Sequence, residues 1–266
     1  MLSVAKLSQP KDEPGKARTT KNNVADYWLN LARDDYYQKG GEPPGQWYGK
    51  GAESIGLEGK VTDSELRLIM DGYDPYTKEA RVKSAGSLNK PHMPCWDLCF
   101  SAPKSVSVLW AVSDEASRQK IQELQQEAVN RTLEFIEEKV AKTRRGQLGL
   151  VDESPKGLIV ATFEHSTSRA QDPLLHTHCL VANMAPRNDG SWGALEGKFF
   201  YDWKMASGAY YYRATLANLL QTEMGLSLTR DDKFFRITDV PKKIEKQFSQ
   251  RRETIKKVMA DPKSVV

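Results

Sequence analysis

The sequence predicts a mixed fold of helices and strands, on three observations. From Ser117 to Lys139 the residues Ile121, Leu124, Ala128, Thr132 and Phe135 recur at helical spacing and form one stripe of a long amphipathic helix. GLIVATFEH (157–165) and HTHCLVAN (176–183) are short strand-like runs flanking a ten-residue polar loop that contains Asp172-Pro173. Between the periodic segments, glycines and prolines cut the chain into turns.

In chain order, MLSVAKL reads as an opening strand, and SQPKDEPGKARTTKN (9–23) as a polar, basic loop broken by Pro10 and Pro14. Val24, Trp28 and Leu31 mark a helix over 23–38, stopped by Gly40 and Gly41. EPPGQWYGKGAESIGLEGKV holds five glycines and two prolines and reads mostly as turns. A helix opened by Thr62 or Asp63 follows, with Glu65 just inside it. Trp96 to Ser101 is a short strand ended by Ala102-Pro103. The β-branched run KSVSVLWAV after it could be strand, but Ser101 followed by Pro103 suits a helix N-terminus, and helix is preferred. A further helix runs through KMASGAYYYRATLANLLQTEMG to Gly225, and Pro241, two residues after a possible cap at Asp239, opens a last basic helix.

Composition narrows the function classes. The 266-residue chain has no apolar run long enough to cross a bilayer and no signal-peptide pattern, so it reads as a soluble, intracellular protein without membrane insertion. Cys95, Cys99 and Cys179 are odd in number and lack a CxxC pair, which argues against a disulfide framework and against cysteine-zinc chemistry. A net charge of +4 fits a nucleic-acid partner without requiring one. Residues 241–257 carry seven Lys or Arg against two Glu, either a solvated helix face or a phosphate-facing surface.

Three of the four histidines fall between 165 and 178. Along a strand alternate side chains share a face, so His176 and His178 point one way and Thr177 and Cys179 the other. If the two strands pair antiparallel, His165 stands opposite the start of the second, and three imidazoles converge. A single buried histidine is more often structural than a ligand, but three on neighbouring strands favour a borderline divalent metal with open positions for substrate oxygens.

These pieces, ADYWLNLARDDYY, WYGKGAESIGLEGKV, DLCFSAPKSVSVLW, DPLLHTHCLVAN, NDGSWGALEGKFFY, YYRATLANLL and FSQRRETI in that order, resemble conjugative relaxases of the MobF class, in the superfamily of single-strand endonucleases named for a paired-histidine motif. The resemblance covers most of the chain. It implies an α+β fold, a central antiparallel β-sheet carrying the metal site with flanking helices on one side, plus a helical appendage that clamps DNA. Residues 1–230 would form the catalytic, palm-like domain, and 231–266 the start of the helical fingers, truncated here, with a helicase in the natural continuation. It further implies site- and strand-specific nicking and strand transfer at a plasmid transfer origin, through a 5′-phosphotyrosine intermediate.

Residue by residue, the resemblance makes His165, His176 and His178 the ligands of a divalent cation, magnesium or manganese in use, with zinc or nickel also able to occupy the site. Asp97 would orient a ligand histidine and take the tyrosine's proton, and Tyr27 would be the nucleophile. Tyr36 would serve a second strand transfer, although on one continuous helix it lies roughly 180° around and about 13 Å along from Tyr27. Family members often carry tyrosine pairs at both positions, whereas here the first pair is Tyr27-Trp28 and only Tyr36-Tyr37 is complete. The basic loop at 9–23 also sets the nucleophile further from the terminus than expected. Lys104, beside a helix start, and the basic pair Arg251 and Arg252 are candidate DNA contacts. Partners would be single-stranded and hairpin DNA at the origin, other relaxosome proteins and a type IV secretion system, in a bacterial cytoplasm. The competing readings are a non-catalytic single-stranded DNA-binding module with a structural metal site, and a metal hydrolase releasing free phosphate ends.

Overall fold

The structure is a computed structural model that describes residues 1–8, 25, 43–87, 92–146, 149–232 and 234–250. Tyr27, Tyr36, Arg251 and Arg252 lie outside the described residues, as does all but Ala25 of the helix expected over 23–38.

Among the described residues the centre is a five-stranded sheet of β1 (Leu2–Leu7), β2 (Gln46–Tyr48), β3 (Cys95–Ser101), β4 (Val160–Thr167) and β5 (Pro173–Ala182), in the order β1-β3-β5-β4-β2. Every neighbouring pair is antiparallel. Alternation divides the side chains between two faces. On one, Trp96, Leu98, Phe100, Val160, Cys179 and Val181 join a core built with α2 (Lys104–Val112), α3 (Glu115–Phe135) and α4 (Arg213–Met224). On the other, Cys95, Ala161, Phe163, Leu180 and Ala182 pack in a second cluster with Leu66, Ile69 and Met70 of α1 (Asp63–Met70). Helices therefore cover both faces, the larger set on the side opposite this second cluster. No helix among the described residues is long and apolar enough to cross a membrane.

Several boundaries follow from local chemistry. Thr62 caps α1, with a capping box to Glu65. The cap of α2 is Pro103 rather than Ser101, because Ser101 stays paired in β3. Asp114 caps α3 by accepting from Ser117 N, and the predicted stripe is buried at Ile121, Leu124, Ala128 and Thr132. Past Phe135 the backbone loosens into one π-helical stretch, Ile136–Val140, and a second, Met205–Tyr212, precedes α4. Gly225 ends α4 at φ +65°, in the left-handed region that suits glycine.

The glycine-rich segment is more ordered than turns. It forms β2 and the short helix Lys50–Glu53, and its glycines allow a backbone contact: a Cβ on Gly49 would sit 2.4 Å from Leu158 O. Buried Glu137, carried by the first π stretch, accepts from Lys50 N at 3.0 Å and Leu158 N at 2.7 Å. Its carboxyl is pushed up by burial, a penalty that these two bonds partly offset. The junction anchors the chain immediately before β4.

The expected appendage does not begin at a break in the core. Ile237 and Val240 belong to the first cluster, and Ile244 of α5 (Lys242–Gln247) packs against it. Pro241, not Asp239, caps this helix.

Candidate metal centre

β4 and β5 pair so that His165 stands directly opposite His176, and Phe163 opposite His178. β3 and β5 pair so that Cys99 faces His178 and Ser101 faces His176. With period-two alternation, Asp97, Cys99, His165, His176 and His178 all emerge on the face of the second cluster, with Asp97 level with Leu180 and His178 level with Phe163. The loop between the strands is shorter than the ten residues expected, because pairing continues to Thr167 and Pro173 across a bulge after His165. Ser168 closes the turn, its Oγ accepting from Ala170 N and Asp172 N.

The three rings form a nearly equilateral triangle. Centroids are 5.3 Å apart for His165 and His176, 5.4 Å for His165 and His178, and 5.1 Å for His176 and His178. Three imidazoles bound tetrahedrally through nitrogen at about 2.0–2.1 Å would place their centroids roughly 5.2 Å apart. The ring spacing fits, although among the described residues no three His, Cys, Asp or Glu groups already have their donor atoms set around an ion.

Hydrogen bonds assign the nitrogens. His176 Nδ1–H donates to Leu174 O at 2.8 Å, so Nε2 carries the lone pair. His178 Nδ1–H donates to both Asp97 oxygens, at 2.9 and 3.0 Å. Asp97 is buried, and a carboxylate behind an imidazole fixes the tautomer and strengthens the other nitrogen as a donor. The two histidines titrate oppositely. Burial lowers His176 to about 4, with its two histidine neighbours acting in the same direction. Burial also opposes charge on His178, but Asp97 and Cys99 outweigh it and raise His178 to about 9. A metal must therefore displace a proton from His178 at neutral pH.

Of the expected site residues, the structure brings together His165, His176, His178 and Asp97. Lys104 Nζ donates to Pro173 O at 2.8 Å, tying α2 to the start of β5, and burial lowers its pKa. Ala25 is completely buried in the second cluster, on the histidine face. The sequence reading passed over Cys99, whose Sγ is 3.9 Å from His178 Nε2. Its signal was available, since Asp97 and Cys99 are two apart on one strand and share a face.

Comparison with known proteins gives the same picture. The TrwC relaxase family model matches residues 21–264. The multifunctional conjugation protein TraI of Escherichia coli is 37% identical over 166 residues, 61% of this chain and 9% of TraI, and TraI of strain K12 is 36% identical over the same length. The chain thus spans less than a tenth of these curated relatives. Among solved structures, metal-bound conjugative relaxase TrwC in complex with oriT DNA matches over 100% of this chain and 86% of that one, with TM-score 0.80 and 31% identity. The copper-bound TrwC complex matches over 100% and 87%, with TM-score 0.79 and 34% identity. The complex with a 27-mer comprising the recognition hairpin and cleavage site matches over 100% and 86%, at 0.77 and 32%.

An antiparallel sheet with paired histidines backed by an aspartate, superposing on these structures along its whole length, defines the class as conjugative relaxase. The chain belongs to the TrwC relaxase family.

Proposed function

We propose that this chain nicks one DNA strand at a plasmid transfer origin by transesterification and remains joined to the 5′ end. The observation that carries the reading is the triangle of His165, His176 and His178 with Asp97 behind it, on a fold that matches DNA-bound relaxases over the full chain.

His165, His176 and His178 would hold a divalent cation, which when bound draws charge from the nonbridging oxygens of the scissile phosphate. Magnesium or manganese serves in use, with zinc or nickel as further occupants. Asp97 keeps the Nδ1 proton of His178 in place and directs Nε2 to the ion. Tyr27 Oη attacks phosphorus, the bond from phosphorus to the 3′ oxygen breaks, and a 3′ hydroxyl departs with a proton. The tyrosyl ester conserves the energy of the phosphodiester for resealing. Support for Tyr27 comes from its place in ADYW, which matches the motif of the family's first catalytic tyrosine. Tyr36 would serve a closing strand transfer, and Arg251 and Arg252 would meet DNA. Lys104 would first have to leave the Pro173 carbonyl. Single-stranded and hairpin DNA of the origin, relaxosome proteins and a type IV secretion system are the proposed partners, in the bacterial cytoplasm, with 231–266 beginning a DNA-clamping appendage.

The test is peptide mass spectrometry after incubation with origin-derived single strands and manganese. A nucleotide adduct on the Tyr27 peptide, lost in Tyr27→Phe, is expected. An undiminished adduct in Tyr27→Phe rejects the nucleophile, and salt-sensitive binding without any adduct rejects the enzyme.

A further inference from the structure

Cys99 is a metal-ligating type of side chain on the histidine face that the proposed reaction does not use. It stands directly across from His178 in the β3/β5 pairing, and its Sγ lies 3.9 Å from His178 Nε2, the nitrogen that points away from Asp97. It is half-buried rather than sealed in the core, unlike Cys95 and Cys179. On its other side β1 places Ser3 opposite Cys99 and Ala5 opposite Asp97, both exposed among the described residues. A nitrogen and a sulfur on one tetrahedral ion, at about 2.0 and 2.3 Å from it, are roughly 3.5 Å apart. The observed 3.9 Å exceeds this by about 0.4 Å.

We propose that Cys99 is a fourth donor at the histidine centre, completing an N3S site that selects thiophilic ions such as zinc, cadmium and cobalt over magnesium and manganese. Thiolate is a soft ligand that binds the harder ions poorly, so it tilts preference where three imidazoles alone tilt it weakly. On binding, the thiol proton passes to solvent and sulfur forms a bond to the ion, with no change of oxidation state. A fourth protein donor also takes up a coordination position that would otherwise be open to a phosphate oxygen. The same chain would then hold zinc tightly and turn over on manganese, which Cys99 does not ligate.

The proposal rests on the histidine metal-site reading, and cobalt(II) separates the two. The full chain, stripped by chelator, is titrated with cobalt while visible d–d bands report ligation and a near-ultraviolet thiolate-to-cobalt band reports sulfur. Wild type should show both, and Cys99→Ser should keep the visible bands and lose the other. Zinc affinity of Cys99→Ser should fall about ten- to a hundredfold, with manganese affinity changed by less than about twofold. Visible bands without a sulfur band in wild type overturn the role of Cys99 and leave the histidine site standing. A sulfur band that persists in Cys99→Ser also overturns it. Absence of visible bands in wild type removes the metal site and the proposal together.

Discussion

The two ends of the β4/β5 pair obey the same alternation and have opposite fates. At one end Val160, Ala161, Leu180, Val181 and Ala182 are at most 1% exposed, so both faces are packed. At the other, Leu175, Thr177 and Cys179 stay buried on one face, at 3% exposure or less, while His176 and His178 on the opposite face are only partly covered. The difference shows how a fold positions chemistry without loops. The strands leave a close-packed core already fixed in twist and register, and the histidines inherit that rigidity.

The largest effect that would break the comparison is loss of a site donor without loss of the fold. His176→Ala should weaken metal binding by more than about a hundredfold, beyond the range for supporting residues. It should change urea-unfolding stability by less than about 1 kcal/mol. Leu180→Ala, two residues from His178 and fully buried, should do the reverse: about 2–5 kcal/mol of stability lost, with metal affinity of the folded protein within about threefold of wild type. If calorimetry found the metal site destroyed in folded Leu180→Ala, core and site would be one unit.

Asp97→Asn tests a smaller step. It keeps a side chain of the same size but removes the charge behind His178, so metal affinity should fall about ten- to a hundredfold. Removing that partner also takes away the main cause raising His178, so the proton released on metal binding at neutral pH should largely disappear. Calorimetry in two buffers of different ionisation enthalpy measures this.

The pH profile sharpens the contrast within the site. In the metal-free protein, His178 is raised above its unfolded value near 6.5, so its contribution to stability is complete below about 6.5 and is lost as pH rises through about 9. His176 is lowered, so it costs stability as pH falls from about 6.5 towards 4. Metal-free stability from this pair should peak near pH 6.5. Metal affinity should instead climb from about 6.5 to 9, because the ion requires neutral His178. Urea titrations and metal titrations across this range should therefore run in opposite directions.

Much of this was legible in the sequence, where period and chemistry coincide. Strand parity alone put His176 and His178 on one face and Thr177 and Cys179 on the other, and antiparallel pairing put His165 opposite His176. The stripe of α3, the capping box at Thr62 and the glycine stop at Gly225 carry their own signals. Asp97 was reached only through family resemblance, because its partner lies 81 residues away and no local pattern links them. Cys99 was missed because the cysteines were counted for disulfide and CxxC patterns rather than placed on a strand face. Short strands such as Gln46–Tyr48 and the hairpin of Leu228–Asp231 with Phe234–Ile237 are too brief for alternation to register. The π stretches follow from tertiary demands, Glu137 reaching Lys50 N and Leu158 N in one of them, and not from a 3.6-residue pattern.

The fourth histidine provides the direct control. His92 is buried at 6% exposure, its Nδ1 hydrogen-bonds Ser84 Oγ at 2.9 Å, and burial lowers it to about 4. Equilibrium dialysis against cobalt, with metal counted per chain in each of the four His→Ala variants, tests the central claim that the β4/β5 register builds the site. One ion per chain should bind to wild type and His92→Ala and be lost in the variants of His165, His176 and His178. Full retention in His165→Ala, or loss in His92→Ala while the protein remains folded, would contradict it.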